Sequence, residues 1–286
     1  MSNNNSIYSI ATITNKSENQ DCFGEFVCEP FKYIFVADGL GSYAYPKLAS
    51  EKFINSFKSK IETSIINDNT DFSKLLLETF KKAKDDIIIF SKDFQKDKNN
   101  STENLFGTTA IVLIETTNKI IIAYVGNGAI WHIRGAFNSF NLPYLFPWNS
   151  INLLNPHSIP QDGKEALYKL ISDNNDYNEC IPTIIEISKD QEFGDIIMIC
   201  TDGIFSADQV RFGKNDKGVW VKYEPAILEF YKYLTGFFAE SDVFSKEKLD
   251  EMLDGYLNEL KPTFDDDATI GILISNVALE YQKNKS

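Results

Sequence analysis

The chain has 286 residues, 43% hydrophobic and 24% charged, enough for one domain with a sizeable core. Its net charge of −13 argues against nucleic-acid binding, which needs a basic face, and no apolar run approaches the roughly 20 residues that span a bilayer. Four cysteines without CxxC spacing and only two histidines, His132 and His157, argue against zinc, so a metal here would be held by carboxylates, as magnesium, manganese or calcium are.

In chain order, the opening "MSNNNSIYSI" lacks the basic start and apolar core of a signal peptide, and a cytoplasmic location is expected. Runs rich in β-branched and aromatic residues predict strands over 7–14 and 31–38. Apolar residues at three- and four-residue spacing predict helices over 46–65 and 72–97. Strands follow at 108–116, 119–126 and 129–134. The first two are separated only by Thr117 and Asn118, which forces an antiparallel hairpin. The third follows Asn127 and Gly128 and reads as the next strand of a meander. Residues 137–163 read as an irregular, aromatic excursion. Then come a helix at 164–173, strands at 183–188 and 195–202, helices at 224–239 and 245–260, and a strand at 268–275. Ser245 stands at an N-cap position three residues before Lys248. The order predicts an α+β class, with two helical layers covering two antiparallel sheets in a single domain over residues 1–286.

Acids recur at the strand ends. "FKYIFVAD" runs into Asp38 and Gly39, and "DIIMIC" runs into Asp202 and Gly203. Asp265, Asp266 and Asp267 stand immediately before the last strand, and Asp21 follows the first. Carboxylates gathered within a few ångströms repel one another unless a cation neutralises them, and hard divalent cations with oxygen ligands do so. Glycine after the acid lets a backbone carbonyl or a substrate come close. The alternative for either Asp-Gly pair alone is an ordinary turn.

Taken in order, "NQD" (19–21), "VADGLGS" (36–42), "GTTAIVLI" (107–114), "AYVGNGAI" (123–130), "ICTDGI" (199–204) and "DDAT" (266–269) resemble the metal-dependent phosphatases of the protein phosphatase 2C family. The wording of the glycine motifs is closer to a divergent bacterial branch. The resemblance spans nearly the whole chain. It implies a four-layer α-β-β-α sandwich with two Mn²⁺ or Mg²⁺ ions in a cleft at one edge. It further implies that Asp21 and Asp38 bind metal, with Asp38 bridging the ions and the carbonyl of Gly39 completing one of them. Asp202 and Asp266 would bind the other side, and Gln20 would touch a metal-bound water. A water activated by the two cations would then attack phosphoserine or phosphothreonine in line.

Three positions depart from the family pattern. Lys16 stands where members commonly carry a phosphate-gripping arginine, keeping the charge but losing the bidentate fork. Its alternative is a solvated surface lysine. Leu40 replaces a histidine proposed as general acid in many eukaryotic members. Asn127 replaces an aspartate linked to an additional, weakly held metal, so a third cation is weakened; its alternative is a turn asparagine suited to positive φ. The "GTTA" stretch reads as small residues that let sheet and helix approach.

The expected function is a serine/threonine protein phosphatase acting on a phosphoprotein, with a cognate serine/threonine kinase as a further partner and neither nucleic acid nor membrane. The rival is a phosphatase-like binding module with little catalysis, recruiting a phosphoprotein or a kinase. A calcium-binding structural domain is a distant third, because the acids are too dispersed for an EF-hand loop.

Overall fold

A computed structural model describes residues 6–28, 31–64, 66–67, 70–98, 104–135, 150–162, 164–206, 211–214, 217–223, 225–240 and 243–284. It opens with β1 (Ile7–Ile13), β2 (Asp21–Cys28) and β3 (Phe31–Asp38). Helices α1 (Pro46–Thr63) and α2 (Phe72–Lys98) come next. They are followed by β4 (Gly107–Thr108), β5 (Ala110–Glu115), β6 (Lys119–Val125) and β7 (Ala129–Arg134). Short strands β8 (Ser150–Asn152), β9 (Ser158–Gln161), β10 (Lys164–Leu167) and β11 (Ile171–Ser172) precede β12 (Thr183–Ser188) and β13 (Asp195–Cys200). A single helical turn, α3 (Asp202–Phe205), leads to the hairpin β14 (Arg211–Lys214) and β15 (Trp220–Tyr223). Then come α4 (Ala226–Glu240), α5 (Lys246–Leu260), a 3-10 turn (Lys261–Thr263), β16 (Ala268–Ile274) and α6 (Asn276–Lys283).

Contacts divide the chain into two compact units, each built from separated segments. One holds residues 19–127 and 155–188; the other holds 1–18, 128–154 and 189–286. Among the described residues each unit carries a five-stranded antiparallel sheet with helices, as the α+β reading expects.

In the first unit the strand order is β12-β6-β5-β3-β2, and the hairpin expected around Thr117 and Asn118 is β5–β6, with Ala110 opposite Val125. Helix α1 lies on β2 and β3, and α2 lies on α1. The α1 sequence makes this face because Ala49, Phe53, Phe57 and Ile61 recur at four-residue spacing, all buried. Phe57 has ring centroids of Phe35, Phe53 and Phe80 at 5.2, 5.6 and 5.5 Å, so this helix is held by an aromatic cluster.

In the other unit the order is β1-β16-β13-β7-β8. Helices α4 and α5 cover it with Phe230, Leu234, Leu249, Leu253, Tyr256 and Leu257, again at helical spacing. Ser245 caps α5 as expected, its hydroxyl accepting from the Lys248 N–H at 3.4 Å. Among the described residues, no helix is long and apolar enough to cross a membrane.

Three expectations are corrected. Strand β7 does not continue a meander: it pairs with β13 and β8, while β6 stays with β5 and β12. Gly126 (φ +104°) and Gly128 (φ +115°) turn the chain from one sheet into the other. Residues 164–173 are not a helix. Their apolar residues fall at helical spacing by coincidence, and they form β10 against β9 and β11 against β4. Within the excursion at 137–163 the chain forms β8 and β9, and residues 136–149 lie outside the described ones. Strand β2 and helix α6 also escape the sequence pattern. Among β2's residues Phe23 and Val27 are exposed at the sheet edge, and α6 is only 8 residues long.

Replacing Phe57 by alanine removes the ring shared by three aromatic neighbours. Urea unfolding of Phe57→Ala is expected to show a loss of about 3–5 kcal/mol. A loss below about 1 kcal/mol would mean that the cluster does not hold α1.

Candidate functional site

The β2–β3 hairpin opens at Asp21 and Asp38, which are directly opposite each other in the antiparallel register. Side chains of opposite residues share a face, so the two carboxylates are neighbours. Both are buried, with 8% and 9% of their surface exposed. Like charges in that position repel, and burial raises the cost of leaving them unneutralised.

Asp38 is pinned through its backbone. Its carbonyl accepts from the Thr109 N–H and the Thr108 hydroxyl, each at 2.8 Å, and its own N–H donates to Thr109 Oγ1 at 3.3 Å. The "GTTA" stretch therefore holds an acid in place, beyond the packing role read from its small residues. On the other strand, the Asp21 N–H donates to Asn19 Oδ1 at 2.9 Å. The Gln20 carbonyl accepts from the Gly39 N–H at 3.2 Å and from the Ser50 hydroxyl at 2.7 Å. Gly39 has a packing reason for lacking a side chain, since a Cβ there would collide with the Pro46 carbonyl at the start of α1.

In the other unit, Asp202 opens α3 directly after β13. The residue before it, Thr201, is tied to the start of β16 from both sides. Its N–H donates to the Thr269 carbonyl, and its Oγ1 accepts from the Thr269 N–H, both at 3.0 Å. A Cβ on Gly203 would collide with the Asp267 carbonyl. The three acids before β16 differ sharply. Asp265 is exposed, the Asp266 side chain is 46% exposed, and Asp267 is buried and accepts from the Thr14 hydroxyl. Asp266 Oδ1 accepts from the Asp267 N–H at 2.7 Å and forms an ion pair with Lys16, whose ammonium also lies 3.8 Å from Asp267.

The structure thus brings Asp21 together with Asp38, and Lys16 together with Asp266. Among the described residues, no group of three or more His, Cys, Asp or Glu side chains is gathered so as to hold a metal ion. The donor chemistry of the Asp21–Asp38 pair nonetheless fits a hard divalent cation, which takes carboxylate oxygens and relieves their repulsion. Asn127 is buried in the turn after β6, and its φ is not positive. The flanking glycines carry that conformation, so the turn itself does not call for asparagine.

Sequence reading missed the hydroxyls of Thr109 and Thr201, which fix the acids beside them, and the pairing of Lys16 with Asp266. Threonine beside a strand carries no signal that separates packing from hydrogen bonding.

The collisions at Gly39 and Gly203 are with backbone, so Gly39→Ala and Gly203→Ala should each cost about 1–3 kcal/mol in thermal or urea unfolding. Gly41→Ala is the control, because its Cβ would meet only Gln20 Oε1, at 3.7 Å. Equal stability of all three variants would contradict the packing account of these glycines.

Comparison with known proteins gives two findings. A family model described as protein phosphatase 2C matches residues 11–146. Solved structures match over most of the chain. A bacterial serine phosphatase matches with a TM-score of 0.64 at 14% identity, covering 94% of this chain and 97% of that one. A serine/threonine phosphatase from Staphylococcus aureus gives 0.63 at 15% identity, covering 94% of each chain. The Mycobacterium tuberculosis serine/threonine phosphatase PstP/Ppp gives 0.60 at 13% identity, covering 95% and 99%. No curated protein sequence matches the chain. The motifs, the family match and the shared fold agree: the chain resembles the protein phosphatase 2C family, and its fold is that of bacterial serine/threonine phosphatases.

Proposed function

We propose that the chain is a metal-dependent serine/threonine protein phosphatase, a single cytoplasmic catalytic domain that hydrolyses phosphoserine and phosphothreonine in a phosphoprotein. The observation that carries this reading is the buried Asp21–Asp38 pair, two like charges held face to face by strand register. Facing carboxylates repel each other, and a cation held by both would relieve that repulsion.

On this reading Asp21, Asp38 and the Gly39 carbonyl hold Mn²⁺ or Mg²⁺, together with Asp202 and Asp266. When bound, the two ions supply an activated water nucleophile and balance charge on the phosphoryl oxygens. The chain's own contribution is orientation. Thr108 and Thr109 fix the Asp38 backbone, Thr201 and Thr269 fix the approach to Asp202, and Gln20 stands beside the Asp21 ligand. Leu40 offers no proton, so protonation of the leaving alkoxide falls to water or another group.

A second reading has one observation in its favour. Lys16 already neutralises Asp266, as expected of a binding module that works without metal on that side. Turnover decides between them. Purified protein should hydrolyse a phosphothreonine peptide with millimolar-range Mn²⁺, and excess EDTA should abolish this. Asp38→Asn keeps the shape of a ligand and removes its charge, so turnover should fall roughly 100-fold or more. Full activity in EDTA, or none with any divalent metal, would remove the catalytic reading.

Lys16→Ala separates two roles for the ammonium. If Lys16 grips the phosphate, KM for the peptide should rise about 10-fold, the loss of one charged hydrogen bond. If it serves only as counter-ion to Asp266, KM stays put and less Mn²⁺ is needed for half-maximal activity.

A further inference from the structure

The segment after β8 carries a histidine that the site description leaves unused. His157 is 4% exposed and is bound on every polar atom to the same unit as Asp38. Its N–H donates to the Gly126 carbonyl at 2.9 Å, and the Gly126 N–H donates back to His157 Nδ1 at 3.2 Å. Its carbonyl accepts from the Tyr168 N–H at 2.9 Å, and Nε2 lies 2.8 Å from Thr183 Oγ1. The imidazole stacks on Tyr124, with centroids 4.9 Å apart and planes 18° from parallel, and Tyr168 meets it edge-on at 5.8 Å.

This bonding pattern fixes the tautomer. Nδ1 accepts from a backbone amide, so the ring proton sits on Nε2 and is donated to Thr183. Burial, with the Lys169 charge acting in the same direction, pushes the imidazole down to about 4, so the ring is neutral at pH 7 as this pattern requires.

What His157 grips matters more than the grip itself. Gly126 has φ +104° and runs so close to Thr109 that a Cβ on it would lie 2.5 Å from Thr109 Cγ2. Thr109 is the residue that bonds the Asp38 backbone in both directions. Asn127 follows Gly126 directly. A clamp on Gly126 therefore bears on both residues.

We infer that His157 is a positioning residue: by holding both backbone groups of Gly126 it seats that glycine on Thr109 and sets the placement of Asp38 and Asn127. This rests on the phosphatase reading for its consequence in turnover, but not for the clamp. It assigns to the β8–β9 connection the task of pressing the β6 end onto the acid-bearing strand. Misplacement of ligands by a fraction of an ångström, with no loss of ligand, lowers kcat and leaves peptide KM unchanged.

Two isosteric changes separate the ring's two ends. His157→Asn keeps an acceptor at the Nδ1 position, and His157→Gln keeps a donor at the Nε2 position. His157→Gln should lower kcat about 10-fold to 100-fold at saturating Mn²⁺ with unchanged KM. His157→Asn should stay within about 3-fold of wild type, although it loses the Thr183 bond. Amide hydrogen exchange should show Gly126 and Thr109 losing protection in His157→Gln and keeping it in His157→Asn. Equal kcat in His157→Gln and wild type, or unchanged protection of Gly126 and Thr109, would overturn the proposal. So would an equal loss in both variants, which would mark His157 as packing alone. Should the variants not fold, imidazole ¹⁵N shifts of the wild type decide: a proton on Nδ1 excludes the clamp. An inactive wild type with intact Gly126 protection would refute the phosphatase reading and leave the clamp standing.

Discussion

Two carboxylates face each other where β2 begins and β3 ends, and much of the surrounding structure is arranged to keep them there. Strand register places Asp21 opposite Asp38. Hydrogen bonds from Thr108 and Thr109 prevent the Asp38 backbone from relaxing away. The first turn of α1 closes over Gly39, where any side chain would collide with Pro46. Strong packing nearby, including the Phe53–Phe57–Phe80 cluster under the same helix, keeps the facing carboxylates in place. Rigid elements holding an unfavourable charge arrangement are characteristic of sites built for a ligand of opposite charge.

The second unit treats its acids differently. Asp267 is buried and satisfied by Thr14, while Asp266 remains half exposed with Lys16 as its counter-charge. One acid of the "DDDAT" run therefore serves the fold, and its neighbour is the one available for exchange between partners. The lysine that resembles a phosphate-gripping arginine is held by an acid expected to bind metal. That pairing gives Lys16 two partners of different chemistry, and mutation resolves which one governs it.

Much of this is legible in the sequence. β3, β13 and β16 are buried at every position, which makes them conspicuous as mostly apolar runs. The acids that end or precede them stand out because a core strand has no use for a charge at that point. The hairpin around Thr117 and Asn118 followed from loop length alone. Other features were hidden for physical reasons. "VGNGAI" carries the marks of a hairpin turn, and only pairing partners far along the chain show that β7 joins a different sheet. Ala166, Leu167, Leu170 and Ile171 imitate a helical face, although Ala166, Leu167 and Ile171 pair as strands and Leu170 lies between them. Lys16 meets an acid 250 residues away, and His157 reaches Gly126 through its ring nitrogen. Contacts of that kind leave no periodicity to read.

The central claim is that the Asp21–Asp38 pair is costly without a cation and stabilising with one. Scanning calorimetry of wild type and Asp38→Asn, each with and without Mn²⁺, measures this without reference to turnover. Without metal the variant should melt higher, because one of two facing charges is gone. Mn²⁺ at about 100 times its Kd should raise the wild-type melting temperature by roughly 5 °C or more and move the variant far less. A variant that melts lower than wild type without metal, and gains as much from Mn²⁺, would contradict the account.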